Sequence, residues 1–285
     1  MRTAACLFVL VLAFAGCEAS LDPFEETDLR FSIFGYLDVA ADTQFVRVSE
    51  LQESIFLGDD LDAVVELEEV GGTTRVVLQD SLLTFTSGAR VHAPWTTAPI
   101  APASTYRLTV TAPDGSTARA TIETPAAVPT PFFLNGLSEA SSADNPPNLQ
   151  ALQIRGAEKL ADLRIDYVLA EPRTRVSVSY LDRARVDSSD GSFRVGFNAY
   201  ADVQNQVAGN TSTFCPRLQG AELFIAATTP SWPDFPLIDL ESLALPGTVS
   251  NVEGGLGFVG GVATTRQSLG SLVLVFSLNQ AACLR

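Results

Sequence analysis

Few residues in this chain could do chemistry unaided. His92, in Arg90-Val91-His92-Ala93-Pro94-Trp95, is the sole histidine of 285 residues. A Ser/His/Asp triad would have to use it, and no Gly-x-Ser-x-Gly elbow accompanies it. One histidine also excludes a His-rich zinc site. No catalytic residue, metal site or cofactor is therefore expected. Gly255-Leu256-Gly257-Phe258-Val259-Gly260 spells G-x-G-x-x-G. A dinucleotide site needs a helix after that turn, so that the helix N-terminus meets the pyrophosphate. Here Val262, Thr264 and Thr265 follow, without a helical stripe. These glycines are expected instead to permit positive φ or close backbone approach at a strand bend. Asp59, Asp60 and Asp62 cluster, as do Asp182, Asp187 and Asp190. Carboxylate-rich loops can hold calcium, but neither group has the spacing of the twelve-residue calcium loop, so exposed turns are expected. Trp95 and Trp232 lie in proline-containing loops. Trp232-Pro233 offers a stacking surface for a sugar or peptide, or a plug for a sheet edge.

The cysteines carry a different chemistry. Arg2 gives a positive start, Ala4 to Ala15 is an uncharged, mostly apolar run, and Phe14-Ala15-Gly16 precedes Cys17. That order reads as a secretory signal, and the run is shorter than the roughly 20 residues that span a bilayer. A Cys straight after small residues resembles a bacterial lipoprotein signal. Cleavage over residues 1–16 and lipidation of Cys17, with palmitate among several acyl chains, would give stable membrane anchoring. A plain secretory signal cut elsewhere would leave Cys17 free. Residues 17–28 follow as a tether. Glu18, Asp22, Glu25, Glu26 and Asp28 make it resemble the surface-export signal of Bacteroidota lipoproteins, or a solvated spacer. Cys6 leaves with the signal. Cys215 and Cys283 remain as a candidate disulfide in an oxidising compartment, or as two buried thiols. Such a bond would stabilise by up to ~4 kcal/mol on the chain-entropy estimate.

The formal net charge is −15, and removing Arg2 with the signal makes it −16. A chain this acidic repels nucleic acid, and no basic patch with interleaved aromatics offsets it. It also disfavours adhesion to anionic lipid except through an anchor. Lys159 is the only lysine, and the hydrophobic content is 46%. That content excludes general disorder and leaves enough chain for one large or two ordinary domains.

The elements that would position any site read as all-β with little helix. Phe31 to Leu37 is a β-rich run. Gln44 to Val48 alternates, with Phe45 out of strict phase. Ala63–Glu68 and Arg75–Leu78 flank Gly71-Gly72 as a hairpin. Tyr106, Leu108 and Val110 alternate with polar residues, Asp114-Gly115 turns, and Ala118, Ala120 and Ile122 alternate on the way back. Many short strands separated by turns point to a β-sandwich over 29–124. Pro102 to Val110 resembles the late strand of fibronectin-type and immunoglobulin-like modules, where a Tyr at the strand start braces a corner. Residues 125–148 form a proline-rich linker, within which Phe132 and Phe133 suggest packing back onto a domain. A second β-rich domain follows over 149–285, with strands at 163–169, 175–180, 193–197, 221–226 and 272–278. Ala157–Leu163 and Pro236–Leu243 could each give one short helix.

Leu37–Val48, Tyr106–Pro125 and above all Ser250-Asn251-Val252-Glu253-Gly254-Gly255-Leu256-Gly257 carry a resemblance. The chain is similar to a family of Bacteroidota outer-membrane lipoproteins carried as a domain of unknown function. That family pairs a lipoprotein signal with an Ig-like β-domain, a proline-rich segment and a second β-rich part. This chain differs in its Phe258-Val259 order. The resemblance brings no catalytic residues. It implies an outer-membrane location, facing the cell surface or the periplasm, and an accessory role beside a TonB-dependent receptor. The expected function is a non-enzymatic, lipid-anchored protein that binds a ligand or partner in uptake or envelope organisation. A hydrolase using paired carboxylates and a structural adhesion module are the alternatives. The first predicts converging carboxylates with perturbed pKa; the second predicts an exposed apolar or aromatic patch.

Overall fold

The computed structural model describes residues 29–51, 61–88, 90–134, 150–171, 173–208, 217–234 and 248–270. Among them the protein is all-β. The first part forms β1 (Phe31–Asp38), β2 (Gln44–Glu50), β3 (Val64–Glu69), β4 (Arg75–Val77), β5 (Leu82–Thr84), β6 (Arg90–His92), β7 (Trp95–Thr96), β8 (Thr105–Thr111) and β9 (Thr117–Glu123). The second forms β10 (Thr130–Phe133), β11 (Gln150–Arg155), β12 (Lys159–Glu171), β13 (Arg173–Ser179), β14 (Arg185–Val186), β15 (Phe193–Phe197), β16 (Arg217–Thr228), β17 (Val252–Glu253) and β18 (Gly255–Ser268). One helix, α1 (Ala199–Ala208), and a 3-10 turn at Leu181–Arg183 complete the described elements. No helix among the described residues is long and apolar enough to cross a membrane.

A nine-stranded sheet runs β13-β12-β16-β18-β1-β2-β6-β5, with β7 also paired to β2. Two smaller sheets, β17-β9-β8-β3-β4 and β10-β11-β15-β14, complete the described pairings. The alternation in β8 and β9 does what its sequence promises. Tyr106, Leu108, Val110, Ala118, Ala120 and Ile122 are all buried, and their neighbours point away. They pack with Phe31, Ile33, Val46 and Val48 into a first core. A second core joins Leu163, Ile165 and Tyr167 of β12, Leu223 and Ile225 of β16, Leu152 and Ile154 of β11, and Val203 of α1. Tyr106, second in β8, turns its hydroxyl back to accept the Ala101 N–H at 2.8 Å.

Strand pairings cross the proline-rich stretch. β18 pairs parallel with β1 over eight residues, from Phe31↔Gly255 to Asp38↔Val262. β17, just before it, pairs antiparallel with β9. β17 therefore closes the β9 side of the five-stranded sheet while β18 lies inside the nine-stranded one, and Val252 and Val259 lie in the first core. Within 125–148, Thr130–Phe133 is a strand paired with β11, and Phe133 packs against the second core.

One reading of local structure needs correction. Ala157–Leu163 is not helical. β12 begins at Lys159, and a register shift between Leu160 and Asp162 turns both Leu160 and Leu163 inward. The bulge gives a strand the three-residue apolar spacing of a helix. The helix present, α1, follows β15 in a stretch assigned no element from the sequence. Asn198 caps it, its side-chain oxygen accepting the Ala201 N–H at 3.1 Å. Pro236–Leu243 and the strand at 272–278 lie outside the described residues.

Candidate functional site

β1 and β2 carry the least expected side chains. In β2, Gln44, Val46 and Val48 are buried, while Phe45 and Arg47 point outward. In β1, Phe31, Ile33 and Leu37 face the core, and Phe34 and Tyr36 face away. Phe34, Tyr36 and Phe45 remain 43%, 53% and 50% exposed. The register sets them side by side: Tyr36 opposite Phe45, and Phe45 opposite Trp95 of β7. The Phe45 and Trp95 ring centroids are 6.5 Å apart. Phe34 stands opposite Arg47, whose guanidinium lies over its ring, 5.6 Å from the centroid. Across the parallel seam Phe34 meets Phe258, which Trp232 contacts edge-on at 5.3 Å. Aromatic side chains thus line the outer face of the long sheet from β7 to β18. Scattered exposed apolar residues are ordinary on a protein surface, but a contiguous patch marks an interaction site.

A cleft of about 560 Å³ opens at one end of this strip, bordered by Tyr36, Phe45, Thr43, Phe224 and Arg266. Its floor is rigid for identifiable reasons. The buried Asp38 carboxylate accepts the N–H groups of Ala40 (2.9 Å) and Thr264 (3.1 Å), and the Thr264 hydroxyl at 2.5 Å. Gln44 closes the β1–β2 turn, accepting from Asp38 N and donating to the carbonyls of Asp38 and Ala41. Phe224 stands in register with Arg164 on one side and Arg266 on the other. Both guanidinium groups lie over its ring, at 4.1 and 4.5 Å, an arrangement the ring quadrupole favours. Arg266 pairs with Glu222 at 2.8 Å, and Arg164 pairs with Asp162 and Asp166. The cleft wall is therefore aromatic and largely charge-compensated.

Trp232 is held at the other end of the strip. Lys159 donates to its carbonyl at 2.5 Å and pairs with Asp234 at 2.7 Å. The ring lies on Gly260, where an added Cβ would come within 2.4 Å of it. A smaller cavity of about 170 Å³ lies beneath, bordered by Glu123, Ser231 and Asn251.

The other candidates resolve into structural parts. Gly255 to Gly260 lies in one continuous strand that runs on to Ser268, so no helix N-terminus follows it. Its glycines answer to close packing. A Cβ on Gly255 would meet the Phe31 carbonyl at 2.6 Å, and one on Gly257 would meet the Ile33 carbonyl at 2.1 Å. Gly254 and Gly257 also take positive φ, 69° and 114°. Asn251 brackets the bend, accepting the Val259 N–H at 2.9 Å and donating to the Val259 carbonyl at 2.7 Å. Asp187 accepts from the hydroxyl and N–H of Ser189, and Asp190 from those of Ser192. These bonds hold both carboxyls below the usual aspartate range. Asp182 sits in the 3-10 turn, Asp62 is described, and Asp59 and Asp60 lie outside the described residues. No group of three or more His, Cys, Asp or Glu among the described residues is placed to hold a metal ion.

His92 Nδ1 lies 3.1 Å from Asp80 Oδ2, and its Nε2 is buried without a hydrogen-bond partner among the described residues. In the second core the Tyr167 and Tyr180 hydroxyls share a 2.9 Å hydrogen bond, and Arg183 grips Asp202 at 2.9 and 3.1 Å. Burial pushes both phenols well above their ordinary pKa, so they stay protonated and serve packing. Cys17, Cys215 and Cys283 lie outside the described residues. Sequence reasoning had singled out Trp95 and Trp232 but not Phe34, Tyr36 and Phe45. The available signal was phase: these rings occupy the outward positions of alternating strands. Comparison with protein-family models and with curated proteins finds no match.

Proposed function

We propose that this is a non-enzymatic binding protein of the bacterial cell envelope, carried on a lipid at Cys17. It holds a ligand or partner against the outer face of its long sheet. The observation that carries the binding reading is the ring row of exposed Tyr36 and Phe45 with half-buried Trp95, set in register on three strands. Burying such rings supplies much of the energy of an interface, and strands hold them with little conformational freedom to lose. The anchor rests on the sequence of residues 1–17. The role beside a TonB-dependent receptor, or in envelope organisation, rests on the family resemblance. The first part reads as an Ig-like module: β1-β2-β6-β5 opposes β9-β8-β3-β4, and Tyr106 braces the corner before β8.

Two experiments in cells test this reading. Cys17→Ala should abolish palmitate incorporation and release the protein from membranes; retention on the membrane refutes the anchor. A photo-crosslinking amino acid placed at Phe45 should yield an adduct, and one at Val186, 62% exposed on β14, should not. Equal yields at the two positions, or none at Phe45, refute the binding face.

A further inference from the structure

We infer that the aromatic face takes a neutral polysaccharide chain lying across the strands. This rests on the binding reading above and assigns its ligand class. The rings of Tyr36, Phe45 and Trp95 occupy facing positions on β1, β2 and β7. Neighbouring strands lie about 4.8 Å apart and the Phe45 and Trp95 ring centroids 6.5 Å apart, both on the scale of one pyranose unit. Successive sugars of an extended chain therefore meet successive rings. The C–H groups on a pyranose face carry partial positive charge, which the negative face of an aromatic ring attracts. Beside the rings, the cleft at the strip's end offers the Thr43 hydroxyl and the Arg266 guanidinium to sugar hydroxyls. At about 560 Å³ it falls within the ~300–1,000 Å³ usual for small-molecule sites, which suits the chain's terminal units.

Charge selects the neutral class. The chain carries −15 overall, a field that disfavours a polyanion. A polycation finds no ready carboxylate in the cleft, because that of Asp38 already accepts three hydrogen bonds. Topology disfavours an extended peptide. Peptides dock by adding a strand at a sheet edge, whereas β1 and β2 are interior strands whose ladders are taken on both sides. What they present outward is side-chain rings.

The test uses the full mature chain, residues 17–285. It is titrated with a neutral β-1,4-linked hexasaccharide of glucose or mannose, with hexagalacturonate, and with an extended proline-rich peptide. Calorimetry and tryptophan emission report binding at low and high salt. A neutral hexasaccharide should bind with little salt dependence and more tightly than its trisaccharide. Tyr36→Ala and Phe45→Ala should each weaken it roughly 3- to 10-fold, with the melting temperature unchanged. Binding of hexagalacturonate or the peptide in place of neutral glycans, lost in the same variants, overturns the ligand class and leaves the binding face standing. Glycan binding unaffected by either substitution overturns the assignment to this face. Silence of every probe overturns the glycan inference, and the crosslinking at Phe45 then decides the binding reading separately.

Discussion

Gly257→Ala tests the account of the glycine-rich stretch. Gly257 sits in the parallel seam between β1 and β18, opposite Ile33. Two costs are visible there. Its φ is +114°, and holding a non-glycine residue in such a region costs ~1–3 kcal/mol. An added Cβ would lie 2.1 Å from the Ile33 carbonyl oxygen. That oxygen belongs to the backbone of a central strand, so relief requires β1 and β18 to part; overpacking of this kind costs ~1–3 kcal/mol. The expected loss is about 2–6 kcal/mol, against a typical stability of ~5–15 kcal/mol. At about 2–4 °C per kcal/mol for a domain of this size, the melting temperature should fall by roughly 5–20 °C. Gly220→Ala is the control. Gly220 also lies in a strand, its φ is not positive, and a Cβ there would meet nothing within 4 Å. It should hold or slightly raise stability, since alanine is favoured over strand glycine by ~0.5–1 kcal/mol. Circular dichroism melts of both variants decide the matter. A Gly257→Ala protein melting with the wild type would refute the close-packing account and reopen the question of what this stretch does.

Two further outcomes follow from named bonds. Tyr106→Phe removes the acceptor of the Ala101 N–H and should lower the denaturation midpoint by the equivalent of about 1–2 kcal/mol, leaving binding at Tyr36 and Phe45 intact; an unchanged midpoint would remove the corner from the list of stabilising features. Asp187 has its folded-state pKa depressed by Ser189, below the ordinary value of about 3.9. The stability this confers is present above that value and lost as pH falls through the folded one. Ser189→Ala should therefore be less stable than wild type near about pH 6 and converge with it in strong acid, as read from urea midpoints across pH; a difference constant with pH would refute the coupling.

The legible parts of this fold were those whose partners lie close in sequence. β8 and β9 alternate cleanly and share the Asp114-Gly115 turn, with Gly115 at φ +88°, so their hairpin could be read directly. The aromatic face could not. Tyr36, Phe45 and Trp95 come from three strands, and only the register makes them neighbours. Phe45 was visibly out of phase, but that gave no hint of the rings beside it. The parallel pairing of Phe31 with Gly255 spans most of the chain, and no local period encodes it. The glycines that permit it were readable as close-packing residues, though not what they pack against. α1 escaped notice although Ala199 and Val203, four residues apart, both pack into the second core.

The seam also joins the proposed anchor to the proposed ligand face. Cys17 precedes Phe31, the first residue of β1, by fourteen residues, and a chain of that length spans at most about 50 Å. β1 is also the strand that carries Phe34 and Tyr36. With Cys17 in a membrane, the tether therefore feeds directly into the strand presenting the rings, and the face stays within that distance of the lipid surface. β1 is held on one side by β2 and on the other by β18. β18 thus stabilises the strand that links the proposed anchor to the proposed ligand face. Cutting the chain within 125–148 would remove β18 from β1 and β17 from β9, leaving both edges open to aggregation. The first half alone should consequently be less soluble than the whole chain, and co-expression of 149–285 should restore it. A soluble, cooperatively melting 17–134 fragment would show that the seam is dispensable and that the two halves fold as the sequence boundary divides them.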